Sequence, residues 1–143
     1  MAKKLSKAKT KPDEKRIYVI LPLSVQVPTM GRASKSTTTI IMEAGRLMAQ
    51  GEHVVSKMRM ENIDEYGTDP ITTINLSVRN SAELTKVMRE LEEDHEVVVF
   101  CDSNPKFYGT PSTVRTAICT VPVYKSWVED AIGHLERYRA PGE

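Results

Sequence analysis

The stretch "VVVFCDSNPKFYGTPSTVRTAICTVP", Val97 to Pro122, decides how the chain is read. An apolar run stops at Asp102, a loop of small and hydroxyl residues follows, and a second apolar run starts at Ala117 and is stopped by Pro122. The first run, Glu96–Cys101, is apolar at nearly every position, as a central strand covered on both faces should be. The second, "TAICTVP", reads as a short strand. The loop between them is too short for a helix and long enough for a functional turn. Asp102 then has two readings. It is an Asx-turn, since Asp-Ser-Asn-Pro is good turn chemistry, or it is a carboxylate placed to bind a hydroxyl, orient a water or pair with a cation.

Working outward, "RIYVIL" (Arg16–Leu21) is β-branched and aromatic and reads as a buried strand, and Leu23 to Ser36 reads as a loop. "STTTIIMEAGRLMAQG" places Ile40, Ile41, Ala44, Leu47 and Met48 on one helical face, with Ser36 as cap and Gly51 as stop. A second short helix is expected from His53 to Ile63. "ITTINLSV" (Ile71–Val78) alternates like a strand. "NSAELTKVMRELEE" carries an Asn80/Glu83 capping box and an apolar stripe of Leu84, Val87, Met88 and Leu91. "SWVEDAIGHLERYR" carries a Ser126/Glu129 box, with Val128, Ala131, Ile132 and Leu135 on one face and Trp127 packed. The order β-α-(α)-β-α-β-β-α predicts an α/β fold with helices over both sheet faces. Ligands in such sheets bind beyond the carboxyl ends of the strands.

The 143 residues, 40% hydrophobic and 27% charged, suit one globular domain over 16–143. No apolar run approaches the roughly 20 residues of a membrane helix, and the charged start does not read as a secretory signal. Residues 1–15 read as a basic flexible tail. Residues 1–16 hold seven of the 20 Lys and Arg and two of the 19 Asp and Glu, which leaves the rest of the chain acidic at −4. A basic arm on an acidic body suits nucleic acid, because Lys displaces counterions from phosphate, and it equally suits a solubilising terminus. Cys101 and Cys119 sit in apolar runs and read as buried reduced thiols of a cytoplasmic protein. With His53, His95 and His134 scattered, no metal site is expected.

"MGRASKST" (Met30–Thr37) resembles half of a phosphate-binding Walker loop, but Ser34 stands where a glycine is required and the spacing is one short. The physics of a helix start flanked by Arg32 and Lys35 still suits an anion. Thr110, Ser112, Thr113 and Thr116 are candidate hydrogen-bonding groups, and Phe107 and Tyr108 are candidate base stackers. "KMRM" (Lys57–Met60) with the Met-rich helix would suit a protein adaptor.

These pieces together resemble the type II peptidyl-tRNA hydrolase family from about Arg16 to Tyr138. "MGRASK" is similar to that family's Met-Gly/Ser-x-Gly-Lys loop. The Val97–Pro122 segment is similar to its strand ending in Asp, its Pro/Ser/Thr loop and its Thr entering an "Ile-Gly-Pro"-like strand. "AIGHLERY" is similar to its last helix. After the lysine the family reads Ala-Ala-Gln and then His-Ala, where this chain reads "STTTIIMEAG". The resemblance implies a three-layer α/β/α fold with a four-stranded mixed sheet whose last strand is antiparallel. It also implies hydrolysis of the ester joining a peptide to the terminal ribose of tRNA, with no metal and no cofactor. Carried over, Lys35, Asp102 and Thr116 are the catalytic residues. The expected RNA contacts are Arg32, Lys35, Lys106, Arg115, Lys3, Lys4 and Lys7. The partner is tRNA or another RNA, free or on the ribosome, with a homodimer as the further expectation and no membrane. The alternative is a catalytically silent RNA-, tRNA- or ribosome-binding protein on the same fold.

Overall fold

A computed structural model describes residues 14–29, 36–68 and 70–139. The first strand, β1 (Ile17–Pro22), is buried along its whole length and forms the middle of the molecule. Its side chains alternate. Ile17, Val19 and Leu21 enter one apolar cluster, and Tyr18 and Ile20 enter another on the opposite face. Each such aliphatic side chain removed from water contributes about 1.5–3 kcal/mol, so the strand with most of them takes the centre.

Two hairpin strands follow, β2 (Ser24–Pro28) and β3 (Thr37–Ile41), paired antiparallel from Ser24↔Ile41 to Pro28↔Thr37. Then come helix α1 (Ala44–Glu61), the single turn α2 (Ile63–Tyr66), strand β4 (Thr73–Val78) and helix α3 (Ser81–Glu92). Strand β5 (Val97–Asp102), the single turn α4 (Pro105–Tyr108), strand β6 (Val114–Thr120), helix α5 (Lys125–Ile132) and the short strand β7 (Glu136–Arg137) complete the described residues. The main sheet is mixed, in the order β5-β6-β1-β4-β7. Strands β1 and β4 are parallel, whereas β6 runs antiparallel to both of its neighbours, β1 and β5. Helix α1 packs on one face, across β1, β5 and β6, while α3 and α5 lie together on the other.

The α/β class stands as expected, and several details do not. The main sheet has five strands, because Glu136 and Arg137 leave the last helix and pair with Ser77 and Leu76. The run Val97–Asp102 is an edge strand, not a central one. Cys101 is consequently exposed, and only Cys119 is buried, its thiol donating to the Val54 carbonyl at 3.7 Å. Ser36 caps no helix, since Thr37–Ile41 is a strand. Five consecutive β-branched residues favour the pleated conformation over the helical one. The helix expected to stop at Gly51 runs through it and absorbs the second short helix. Gly51 sits where α1 crosses the sheet, and a Cβ there would meet Val19 and Leu21 at 3.7 Å.

The Asn80 cap is present. Its side chain accepts from the Glu83 N–H at 3.0 Å, and Glu83 reaches back to the Arg79 N–H at 2.8 Å. Ser126 caps nothing, because α5 begins at Lys125 with Tyr124 before it. Trp127 is 53% exposed, its ring edge-on to Tyr124 at 4.8 Å with the Lys15 ammonium 5.5 Å from its centroid. No helix among the described residues is long and apolar enough to cross a membrane.

Candidate functional site

Asp102 ends β5 at the carboxyl end of that strand. The loop beyond it holds a full helical turn, which the sequence reading excluded. Asn104 accepts from the Phe107 N–H at 3.1 Å, Pro105 takes the first helical position, and Gly109 closes the turn at φ +70°. A side chain at Gly109 would be strained in that left-handed conformation. The turn swings the Tyr108 ring back over the strand tip, and its hydroxyl donates to Asp102 Oδ2 at 2.8 Å.

Helix α1 supplies the next partner. Gln50 Nε2 donates to the same Oδ2 at 3.3 Å, and Thr116 Oγ1, from β6, donates to Gln50 Oε1 at 2.5 Å. The direction of this chain follows from chemistry. A carboxylate only accepts, so the Gln50 amide must turn its NH₂ toward Asp102 and its oxygen toward Thr116. Asp102 Oδ1 accepts the Ser103 N–H at 3.0 Å and keeps a lone pair available. Thr116, Gln50 and Tyr108 are buried, at 0%, 3% and 1% exposure, whereas Asp102 is half-buried. The acid therefore stands at the boundary between a fixed interior network and solvent.

One turn before Gln50, the Arg46 guanidinium lies 3.5 Å from the centroid of the Phe107 ring. Burial and the Asp102 carboxylate push the Tyr108 phenol well above its ordinary value, and Arg46 partly opposes them. Tyr108 is therefore a neutral donor. Glu43, at the head of α1, makes no side-chain cap, and the first turn carries no acid. Among the described residues no side chain caps the opening N–H groups. Gly45 beside them has nothing within 4 Å of a notional Cβ. His53 and Lys57 continue the same flank of α1. The His53 ring lies 5.1 Å from that of Phe100, and Lys57 Nζ donates to the Val99 carbonyl at 2.7 Å.

Of the residues singled out from sequence, Asp102 and Thr116 are brought together through Gln50. Lys35, Arg32, Lys3, Lys4 and Lys7 lie outside the described residues. Lys106 is exposed on α4. Arg115 turns to the other sheet face, where it donates to Thr85 Oγ1 at 3.0 Å. Tyr108 is buried and Phe107 lies under Arg46, so neither presents a bare face to a base. Sequence reasoning missed Gln50 and Arg46. The signal was a Gln beside a Gly within an apolar helical stretch, with a cation four residues earlier. No cluster of His, Cys, Asp and Glu suited to a metal occurs among the described residues. The chain matches no protein-family model and no curated protein.

Proposed function

We propose that this chain is a hydrolase of the type II peptidyl-tRNA hydrolase kind, cleaving the ester between a peptide and the terminal ribose of tRNA. The observation that carries the reading is the chain of hydrogen bonds from Thr116 through Gln50 to Asp102, with Arg46 one turn away. The family pattern fits this chain in a new register. Helix α1 starts at Ala44, so the stretch opening it is Met42-Glu43-Ala44-Gly45-Arg46. That is a Met, two residues, a Gly and a cation. Ala49-Gln50 and then His53 supply the Ala-Gln and His that do not follow Lys35. The site's cation is Arg46 in this reading, and Arg replaces the family's Lys. The mixed α/β architecture supports the reading at the level of class, while the main sheet has five strands where the family plan has four. The β2–β3 hairpin and β7 have no counterpart in that plan.

The chemistry follows from the donors and acceptors. Gln50 and Tyr108 hold Oδ2 and fix the carboxylate plane, while Oδ1 orients a water for attack on the ester carbonyl, takes its proton and returns it to the departing ribose oxygen. Arg46 and the opening N–H groups of α1 supply positive charge for the oxyanion that forms. Thr116 is fully buried and acts by positioning Gln50. Lys106, Arg115, Arg32, Lys35 and the lysines of the tail contribute contacts to RNA phosphates.

The test is release of peptide from purified peptidyl-tRNA. Wild type is expected to release it above a buffer blank, and Asp102→Asn to lose about 10²-fold or more. RNA binding with no release by wild type would replace this reading with the catalytically silent binder.

A further inference from the structure

Strand β2, the start of α3 and the 110–115 segment line a cleft of about 190 Å³. We propose that this cleft is a phosphate-binding pocket centred on Arg115. Among the described residues, Arg115 is the only formally charged side chain lining it, and no carboxylate does. One Arg115 η nitrogen donates to Thr85, but its Nε–H is buried with no acceptor among the described residues. A buried guanidinium N–H without an acceptor is costly, and a phosphate oxygen is the acceptor that this planar fork matches best.

Three hydroxyls around it already accept hydrogen bonds. Ser81 Oγ accepts from the Gln26 N–H at 3.0 Å, Thr85 Oγ1 accepts from Arg115, and Thr110 Oγ1 accepts from the Ser112 N–H at 3.3 Å. Each keeps its own O–H proton without an acceptor among the described residues. A guanidinium edge and three hydroxyl protons exceed what the two oxygens of a carboxylate need, and they suit the several oxygens of a phosphate. Arg115 and Thr116 are consecutive on β6 yet serve opposite faces, so the cleft is separate from the Asp102 site.

The phosphate belongs either to an RNA backbone or to a free phosphate. The inference rests on the proposed hydrolase only for which of these is natural. The test follows the Arg115 Nε–H signal and the Ser112 and Thr113 amides by ¹⁵N NMR in the full chain. Inorganic phosphate and a short single-stranded RNA are titrated separately, against chloride at equal ionic strength. Millimolar phosphate is expected to move these signals saturably where chloride does not. Arg115→Met is expected to weaken the binding about ten-fold or more, as loss of a charged hydrogen bond should. Should that variant not fold, Thr85→Val is expected to weaken it in the same direction. RNA moving the same signals assigns the pocket to a backbone phosphate, and phosphate acting alone assigns it to the free ion. No saturable shift with either, or undiminished binding in both variants, overturns the proposal. In wild-type protein, phosphate binding at these signals without any release of peptide from peptidyl-tRNA sinks the hydrolase reading alone.

Discussion

Replacing Thr116 with Val keeps the shape of the side chain and deletes one hydroxyl. That hydroxyl is fully buried and is the donor to Gln50 Oε1. Its loss leaves a carbonyl oxygen, on a side chain only 3% exposed, without its donor. Stranding a buried acceptor costs about 1–3 kcal/mol. Gln50→Leu makes the reverse error, stranding the Thr116 hydroxyl at a similar cost of about 1–3 kcal/mol, while water replaces the amide at the half-buried Asp102. The double variant strands neither group, because both partners become apolar, and such paired replacement is nearly neutral. The two single losses should therefore not add. A double-mutant cycle by urea unfolding should give a coupling of about 1–2 kcal/mol. In thermal melts each single variant should fall by about 4 °C per kcal/mol lost, and the double variant by less than the sum. Strict additivity would refute the claim that these side chains form one buried network.

Other consequences are independent of that one. In native protein a thiol reagent should modify Cys101 alone, because Cys119 is buried and its thiol is pushed up to about 12; urea should expose both. Tyr108, raised by burial and Asp102, stays neutral in the folded state while unfolded tyrosines ionise near 10. Its contribution to stability is thus complete below pH 10 and is lost as pH rises beyond, a dependence Tyr108→Phe should flatten in unfolding curves. Glu83 is held below its ordinary value by its hydrogen bonds to Arg79. Its small contribution is present above the ordinary carboxylate range and lost as pH falls through the depressed value, and Glu83→Gln should remove that acid slope. Trp127→Ala should cost less than about 1 kcal/mol in urea, since half of the ring is already in water.

The strands β1, β4, β5 and β6 and helix α3 were legible because each is an apolar run or stripe bounded by a cap, a Pro or a charged turn. The β2–β3 hairpin was not. Ile40, Ala44 and Leu47 share helical spacing by accident, across a strand end and a helix start, and Thr37–Ile41 carried the opposing β-branched signal. β5 reads as central because its apolar run is continuous. No further strand pairs with it among the described residues; His53 and Lys57 of α1 reach Phe100 and the Val99 carbonyl instead, which no local pattern reveals. The acid of the site could be read from its place at a strand tip. Its partner Gln50 lies 52 residues away in sequence, and only the docking of α1 on the sheet brings the two together.

The central claim is that Asp102 and the opening turn of α1 form one hydrolytic site with Arg46 as its cation. Peptide release from peptidyl-tRNA by Arg46→Ala and Lys35→Ala, each confirmed folded, tests it most directly. Arg46→Ala should lose about 10²–10³-fold in rate, as removal of an oxyanion donor does, while Lys35→Ala changes the rate far less. Full activity in Arg46→Ala with loss in Lys35→Ala would contradict it.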